Sequence, residues 1–289
     1  MELSDLKVFC AVAEQGGVIR AAEQLHRVPS NVTARIQKLE SELGRSLFHR
    51  DRNRLKISPA GEQLLSYAKR ILSLADQAIE QFSSDQPSGV LRVGSMEAVA
   101  ASRLSAILYE YHTAYPDVSL EVKTRPTGDL IEFVLNGQLD VALVADPNAD
   151  ERLERMPVFK ETLVLVSEKS MTDISDPSQL GVEPTLLGFS NQCAYRNRLT
   201  QWVKQVNLVA KVVEINSYHT LLNCVTAGMG VGLVPEKLLE LYPFAKDLRT
   251  HPLPDNLATT ITTAIWRKDS SRPSVSAYLD ILKGASNLT

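Results

Sequence analysis

The sequence predicts a two-domain protein of mixed class, with an α+β N-terminal domain followed by an α/β C-terminal domain. Two short helices separated by a tight turn lie between Gly16 and Gly44, which is the pattern of a helix-turn-helix. A long helix with heptad spacing follows, and from Val90 onward strands alternate with helices. Such alternation predicts parallel β-sheets with right-handed crossovers. At 289 residues the chain is long enough for two domains with cores of their own.

Three helices are expected to form the core of the N-terminal domain. The first spans Leu3 to about Gln15, and the second spans Val18–Leu25. The third opens at Pro29 and ends at Gly44, a residue that suits a left-handed position after a helix. Its apolar residues recur at intervals of four, three and four, which predicts one core-facing stripe made of Val32, Ile36, Leu39 and Leu43.

The outer face of the third helix carries small, uncharged-to-basic side chains, which the major groove of DNA can admit. At ~100° per residue, this face and its flanks collect the candidate DNA contacts Ser30, Asn31, Thr33, Ala34, Arg35, Gln37 and Lys38. Asn31 and Gln37 can hydrogen-bond adenine edges, and Arg35 can reach guanine or phosphate. An ordinary surface helical hairpin is the alternative for this segment taken alone.

A basic segment follows the third helix. Residues 1–58 hold ten Lys or Arg against seven Asp or Glu, a net charge of +3, whereas the remainder carries −6. A polar turn at Arg50–Asn53 and a short strand at Arg54–Ser58 predict a small β-wing. Its arginines can reach the DNA backbone or the minor groove, and the candidates are Arg50, Arg52 and Arg54. A solvated charge run is the alternative.

The helix from Pro59 to about Ser84 is predicted to pair with a second copy of the chain. Three heptads run along it, formed by Leu65, Leu72 and Ile79 alternating with Ala68, Ala75 and Phe82. Packing on its own domain is the alternative, but a helix that follows a compact unit has little domain left to cover. A polar segment with Pro87 and Gly89 predicts a hinge at residues 85–89.

The predicted domains are therefore residues 1–58, a linker helix and hinge at 59–89, and residues 90–289. In the last of these we expect two lobes, one at about 90–161 and 267–289 and the other at about 162–266. Ligands of such sheets bind in a crevice at the carboxyl ends of the strands. The predicted strands are Val90–Gly94, Val118–Lys123, Val141–Val144, Leu163–Ser167, Thr185–Phe189, Lys211–Ile215, Val231–Val234 and Thr262–Trp266.

Several segments of the chain resemble the LysR-type transcriptional regulators, and together they cover almost all of it. The segments are LKVFCAVAEQGGVIRAAEQLH, VTARIQKLESELGRSLFHRDRNRLKISPAGEQLL, LRVGSMEA, YPDVSLEVKTRPTGDL, GQLDVAL and TAGMGVGLVPEKL. The resemblance implies a winged helix-turn-helix, a dimerising linker helix and an effector-binding domain like periplasmic binding proteins. It also implies a sequence-specific regulator of promoter DNA, usually tetrameric, that responds to a small metabolite.

The chain departs from the family pattern in its recognition helix. Members commonly carry Ser-Arg-Gln-Ile where this chain has Thr33-Ala34-Arg35-Ile36. The usual arginine position is therefore Ala34, and the operator sequence does not carry over from the family.

The resemblance also implies an effector pocket between the two lobes. Its first position falls at the end of the first strand of this domain, and a second matches Thr127. Free N–H groups at a helix start favour a carboxylate or phosphate. The candidate effector contacts are Ser95, Met96, Thr127, Ser190, Asn191, Cys193 and His219, with helix capping as the alternative for each. Arg196 and Arg198 could add charge, although a surface role is as good an explanation.

An enzyme or a pure solute-binding protein are the competing classes. The chain has no G-x-S-x-G elbow, H-E-x-x-H or Walker loop, and its five histidines lack ligand spacing. The glycines Gly228, Gly230 and Gly232 precede a predicted strand, whereas a dinucleotide loop follows one. We therefore expect no catalysis, no metal and no cofactor. We expect a cytoplasmic location for three reasons. The sequence does not begin like a signal peptide, it has no apolar run long enough to span a membrane, and its three cysteines are odd in number and lack metal-type spacing.

Overall fold

The computed structural model describes residues 1–51, 54–83, 86–286 and 288, without the side chains of residues 50, 51, 54, 81 and 83. The chain divides into two compact units. One comprises residues 1–83 with 136–138, and the other comprises residues 84–135 with 139–289. Among the described helices, none is both long enough and apolar enough to cross a membrane.

The first unit is built from four helices and a two-stranded hairpin. Its elements are α1 (Leu3–Gln15), α2 (Val18–Gln24), α3 (Pro29–Leu43), β1 (Phe48–Asp51), β2 (Arg54–Ile57) and α4 (Pro59–Ser83). Gly44 ends α3 at φ 63°, the left-handed conformation predicted for it. The stripe Val32, Ile36 and Leu39 is buried, but Leu43 at the last turn is 41% exposed and lies outside the core.

The predicted wing is present as an antiparallel hairpin of β1 and β2. The polar turn expected at Arg50–Asn53 was placed too early, because β1 continues to Asp51. Helix α3 anchors the hairpin through Glu40, whose Oε1 accepts from the backbone N–H of Leu47 at 2.7 Å. The Phe48 N–H donates to the same oxygen at 3.3 Å, so the start of the wing is held against α3.

A buried carboxylate of α1 holds α3 in place. Asp5 is fully buried, and its Oδ1 accepts from Arg35 Nη1 at 2.6 Å. Its Oδ2 accepts from Lys38 Nζ and from the Glu2 backbone N–H, each at 3.2 Å. Burial acts to raise the pKa of Asp5, but the hydrogen bonds from Lys38, Glu2 and Arg35 outweigh it and hold that pKa below its ordinary value.

The second unit contains a sheet to which nine of the described strands belong. These strands are β3 (Gly89–Ser95), β4 (Val118–Thr124), β5 (Val141–Ala145), β6 (Leu153–Glu168), β7 (Thr185–Gly188), β8 (Lys211–Glu214), β9 (Val231–Pro235), β10 (Leu248–His251) and β11 (Thr259–Arg267). The predicted hinge at residues 85–89 lies partly outside the described residues, and Gly89 already belongs to β3.

Helices cover this sheet. They are α5 (Glu97–Val99), α6 (Ser105–Ala114), α7 (Thr127–Leu135), α8 (Ala194–Lys204), α9 (Tyr218–Thr226), α10 (Glu236–Leu239), α11 (Asp255–Ala258) and α12 (Pro273–Gly284). A π-helical turn, Ala100–Leu104, joins α5 to α6. The last helix, α12, contacts α6, because the Tyr111 hydroxyl donates to the Ser274 carbonyl at 2.9 Å.

The strand order is β4-β3-β5-β11-β6-β9-β7-β8, with β10 on β6. Strands β3, β4 and β5 are parallel, as are β7, β8 and β9. The alternation did not predict the strands that pair antiparallel, which are β6, β10 and β11. The segment predicted as a strand at Leu163–Ser167 is the second half of the long strand β6.

We predict that Asp5→Ala destabilises the packing of α1 on α3 by about 1–3 kcal/mol, because Arg35 loses a charge-assisted partner. Hydrogen exchange of α3 amides measures this effect within the first unit.

The pKa of Asp5 is lowered by folding, so the contribution of this carboxylate to stability is complete above about pH 4 and is lost as pH falls further. The wild-type advantage over Asp5→Ala should shrink accordingly in acid. The exposed Glu23→Ala on α2 is the control, and equal exchange in wild type and Asp5→Ala at neutral pH would refute the prediction.

Candidate nucleic-acid interface and ligand cavity

The outer face of α3 is open to solvent in the first unit. The exposed candidates are Ser30, Asn31, Thr33, Ala34, Gln37 and Lys38. Two of them also make local contacts, because Asn31 Oδ1 accepts from Arg27 Nη1 at 3.3 Å and Thr33 Oγ1 donates to the Pro29 carbonyl at 3.0 Å. Ala34 and Gln37 thus lie on an exposed, uncharged part of the helix that suits a DNA groove.

Two of the basic candidates on α3 are engaged by α1. Arg35 Nη1 donates to Asp5 at 2.6 Å and to Ser4 Oγ at 2.8 Å, so its guanidinium faces the neighbouring helix. Lys38 Nζ donates to Glu2 at 3.0 Å and to Asp5 at 3.2 Å. The expectation that Arg35 reads guanine or phosphate conflicts with these contacts, because reading DNA would require breaking a pair with a buried carboxylate.

The candidate wing arginines lie wholly or partly outside the described residues. Arg52 lies outside the described residues, and so do the side chains of Arg50 and Arg54. Their role in contacting DNA stays a prediction from the sequence.

A cavity of about 460 Å³ lies in the second unit. The residues around it follow the carboxyl ends of β3, β4, β7 and β8, as expected for a ligand crevice in this class of sheet. They are Met96, Glu97, Thr124, Arg125, Pro126, Thr127, Asp129, Phe189, Ser190, Cys193, Tyr195, Asn216 and Tyr218.

The structure separates the candidate effector contacts into two groups. Met96, Thr127, Ser190 and Cys193 line the cavity. Three other candidates lie outside it. Ser95 is fully buried and its Oγ donates to the Met96 carbonyl at 3.0 Å. Asn191 is exposed, and the ring of the exposed His219 lies 6.0 Å from that of Tyr242.

The two arginines suggested as sources of charge also lie outside the cavity. Arg196 Nη1 donates to the Phe189 carbonyl at 2.9 Å. Arg198 forms a two-pronged pair with Asp146, at 2.5 and 2.6 Å, and donates to the Thr259 carbonyl at 2.8 Å. Both arginines therefore brace loops at the strand ends.

One carboxylate of the cavity was missed from the sequence. Both oxygens of Glu97 accept from the backbone N–H of Tyr218, at 3.3 and 3.2 Å, although the two residues are 121 positions apart. Burial raises the pKa of Glu97 above its ordinary value. A local signal existed, because Glu97 is the acidic residue in the first helical turn after β3. Its partner, at the start of α9, could not be read from spacing.

Aromatic side chains form part of the wall. The rings of Phe189 and Tyr218 lie 4.7 Å apart. Tyr195 is 2% exposed, and within the described part of the chain its hydroxyl has no hydrogen-bonding partner. Burial raises the pKa of the Cys193 thiol, which disfavours its thiolate form. No group of three or more His, Cys, Asp or Glu among the described residues could hold a metal ion.

Both units match models of one protein family. Residues 3–62 match the bacterial regulatory helix-turn-helix protein, lysR family, and residues 84–287 match the LysR substrate binding domain. The chain is 38% identical over 272 residues to the uncharacterized HTH-type transcriptional regulator YusT of Bacillus subtilis (strain 168), covering 93% of this chain and 91% of that one. It is also 38% identical to the HTH-type transcriptional regulator CzcR of Bacillus anthracis, covering 93% and 92%.

Solved structures share the whole fold. A full-length OxyR from Pseudomonas aeruginosa has a TM-score of 0.72 at 22% identity, covering 99% of this chain and 94% of that one. Full-length CbnR complexed with its target DNA has a TM-score of 0.69 at 22% identity, covering 99% and 100%.

The chain belongs to the LysR family of transcriptional regulators, and it is a DNA-binding regulator with an effector-binding domain. Family and relatives are regulators and not enzymes, so the enzyme alternative does not apply.

We predict that Gln37→Ala lowers affinity for DNA selected from a random library by about 1–3 kcal/mol, as expected when a base contact is lost. Fluorescence anisotropy titrations measure the affinity, and hydrogen exchange of α3 should stay unchanged. Arg35→Ala should instead speed exchange in α1 and α3, because its side chain contacts Asp5. Unchanged DNA affinity of Gln37→Ala would remove this residue from the reading surface.

Proposed function

We propose that the chain binds promoter DNA as a homodimer, and as a homotetramer of two such dimers, and that a small polar metabolite in the cavity changes this binding. The observation that carries the proposal is that one chain has both an exposed face on α3 and a cavity at the carboxyl ends of four strands. The proposal includes no cofactor, and the metabolite is the small molecule that binds in the cavity. The partner DNA implies a cytoplasmic site of action.

Support for the DNA contacts comes from the surface of α3. Ala34 and Gln37 are exposed, whereas Arg35 and Lys38 are paired with α1. The direct reading set proposed for this chain is therefore Ser30, Asn31, Thr33, Ala34 and Gln37, with wing arginines on the phosphates. CbnR, which has the same fold, has been solved with its target DNA.

Support for the dimer comes from α4, but only in part from the stripe expected from its heptads. Ala68 is fully buried in the core of the first unit, and Leu65 and Leu72 pack against that core. An apolar face beside them is left exposed, formed by Tyr67 (55% exposed) and Leu74 (50%) together with Phe82 (90%), the last residue of the heptad stripe. These three positions are seven and eight residues apart, so they share a face of the helix. An apolar face of this kind is covered when two copies of α4 pair.

We predict that Leu74→Glu and Phe82→Glu convert the dimer to monomer, because each places a carboxylate in the paired apolar face. Light scattering after size exclusion measures the mass. Leu74→Met is the matched control and should remain dimeric, since it keeps an apolar side chain of similar volume. The monomeric variants should also bind DNA more weakly, because one half-site contact is lost per complex. A dimer that survives both glutamate substitutions would refute pairing through α4.

A titration of the full chain on its selected DNA tests metabolite control. Anisotropy is recorded in the presence of organic acids and amino compounds, and at least one compound is expected to shift the affinity. Ser190→Trp should abolish that shift while leaving DNA binding itself intact, because the indole fills the cavity. A compound effect that survives Ser190→Trp, or a panel without any effect, would contradict control through this cavity.

A further inference from the structure

We propose that the effector carries a positively charged nitrogen, an ammonium or guanidinium group, which pairs with Glu97. The inference rests on the proposed function, because it assumes that the cavity is the effector site. It replaces the carboxylate or phosphate expected from the sequence, and the structure supports the change through three separate features of the cavity.

The first feature is that three backbone donors around the cavity are already used. The Tyr218 N–H at the start of α9 donates to Glu97, and the Gly128 N–H at the start of α7 donates to the Gln192 carbonyl at 3.1 Å. The Met96 N–H donates to the Leu143 carbonyl at 3.2 Å. An anion at any of these three positions would compete for an N–H group that already has an acceptor. The chain's own Glu97 carboxylate occupies the start of α9 in place of such an anion.

The second feature is the balance of charge. Glu97 and Asp129 line the cavity against a single guanidinium from Arg125 among the described lining residues. Arg125 is exposed, and its Nη1 donates to the Thr124 carbonyl at 2.8 Å. A carboxylate has about four lone-pair sites, and both Glu97 oxygens share one N–H donor at 3.2 and 3.3 Å. Glu97 can therefore accept further donors from a ligand.

Burial of Glu97 adds to this argument. Its pKa is raised because the half-buried carboxylate is poorly solvated. A cation within hydrogen-bonding distance would stabilise the charged form, whereas an anion would add repulsion to the cost of burial.

The third feature is the aromatic wall. Phe189 and Tyr218 both line the cavity, with ring centroids 4.7 Å apart, and aromatic rings attract organic cations. A cavity of about 460 Å³ suits a small metabolite.

Three phenyl compounds of matched size test the charge preference. Phenethylammonium, 3-phenylpropionate and 2-phenylethanol differ in the group at the end of the same chain. Binding to the full-length protein is measured by saturation-transfer NMR with competition. We expect the ammonium compound to bind at least about tenfold more tightly than the carboxylate, the effect of one charge-assisted hydrogen bond.

Variants connect the preference to Glu97. Glu97→Gln should remove it, and Glu97→Asp, which keeps the charge on a shorter side chain, should retain part of it. Glu110→Gln, at an exposed glutamate of α6 outside the cavity, should retain all of it. Ser190→Trp should abolish binding of the ammonium compound.

The outcomes distinguish this inference from the proposed function. Tighter binding of 3-phenylpropionate that Ser190→Trp abolishes would overturn the cationic effector but keep the cavity as the ligand site. An ammonium preference unchanged in both Glu97→Gln and Glu97→Asp would overturn the role of Glu97. Binding of none of the three compounds, or binding insensitive to Ser190→Trp, would count against both proposals.

Discussion

The pairing of β6 with β11 is the interaction on which the effector-binding half depends. Thr259–Arg267 runs antiparallel along β6, with a register shift between Thr262 and Thr263. On one side of this pair β5 joins β11, and on the other side β9 joins β6. The two parallel halves of the sheet are thus joined through strands that belong to both, and their carboxyl ends meet at the cavity. Arg103 of the π-helical turn braces this pair with a two-pronged contact to Glu161 at 2.6 and 3.2 Å.

The first unit shows how a core contact restricts a recognition surface. The buried Asp5 engages Arg35 and Lys38, so the basic side chains of α3 serve its packing on α1. The side chains of α3 that remain available to DNA are smaller and less charged than the sequence predicts. Ala34 stands where the family commonly has arginine. The expected consequence is base recognition through amide and apolar contacts, with the phosphate attraction supplied by the basic wing.

Local patterns in the sequence predicted most of the elements but few of the partnerships. Helices α1 and α3 followed from apolar periodicity and a terminal glycine. The first half of β6 was missed because charged residues and Pro157 interrupt its alternation, and β10 was missed because its four residues carry no strong strand pattern. The sequence predicted the heptads of α4, but the periodicity does not show which of its apolar residues pack within the first unit and which stay exposed.

The candidate site shows the same limit. Thr127, Met96, Ser190 and Cys193 follow strand ends, so topology alone brings them to the cavity. Ser95 also follows from topology, yet its hydroxyl turns to a backbone carbonyl instead of the cavity. The contact of Glu97 with the Tyr218 N–H joins two segments 121 residues apart, and no local pattern encodes it. Such long-range contacts determine which ligand charge a cavity accepts.

Photocrosslinking at Ala34 tests the central claim, that the outer face of α3 reads DNA, most directly. A benzoylphenylalanine introduced there in the full-length chain is irradiated on the selected DNA, with the same group at the exposed Glu110 as the control. The account predicts crosslinks to bases of the selected site from position 34 and none from position 110. A position-34 variant that still binds the DNA specifically but forms no crosslink to its bases would contradict it.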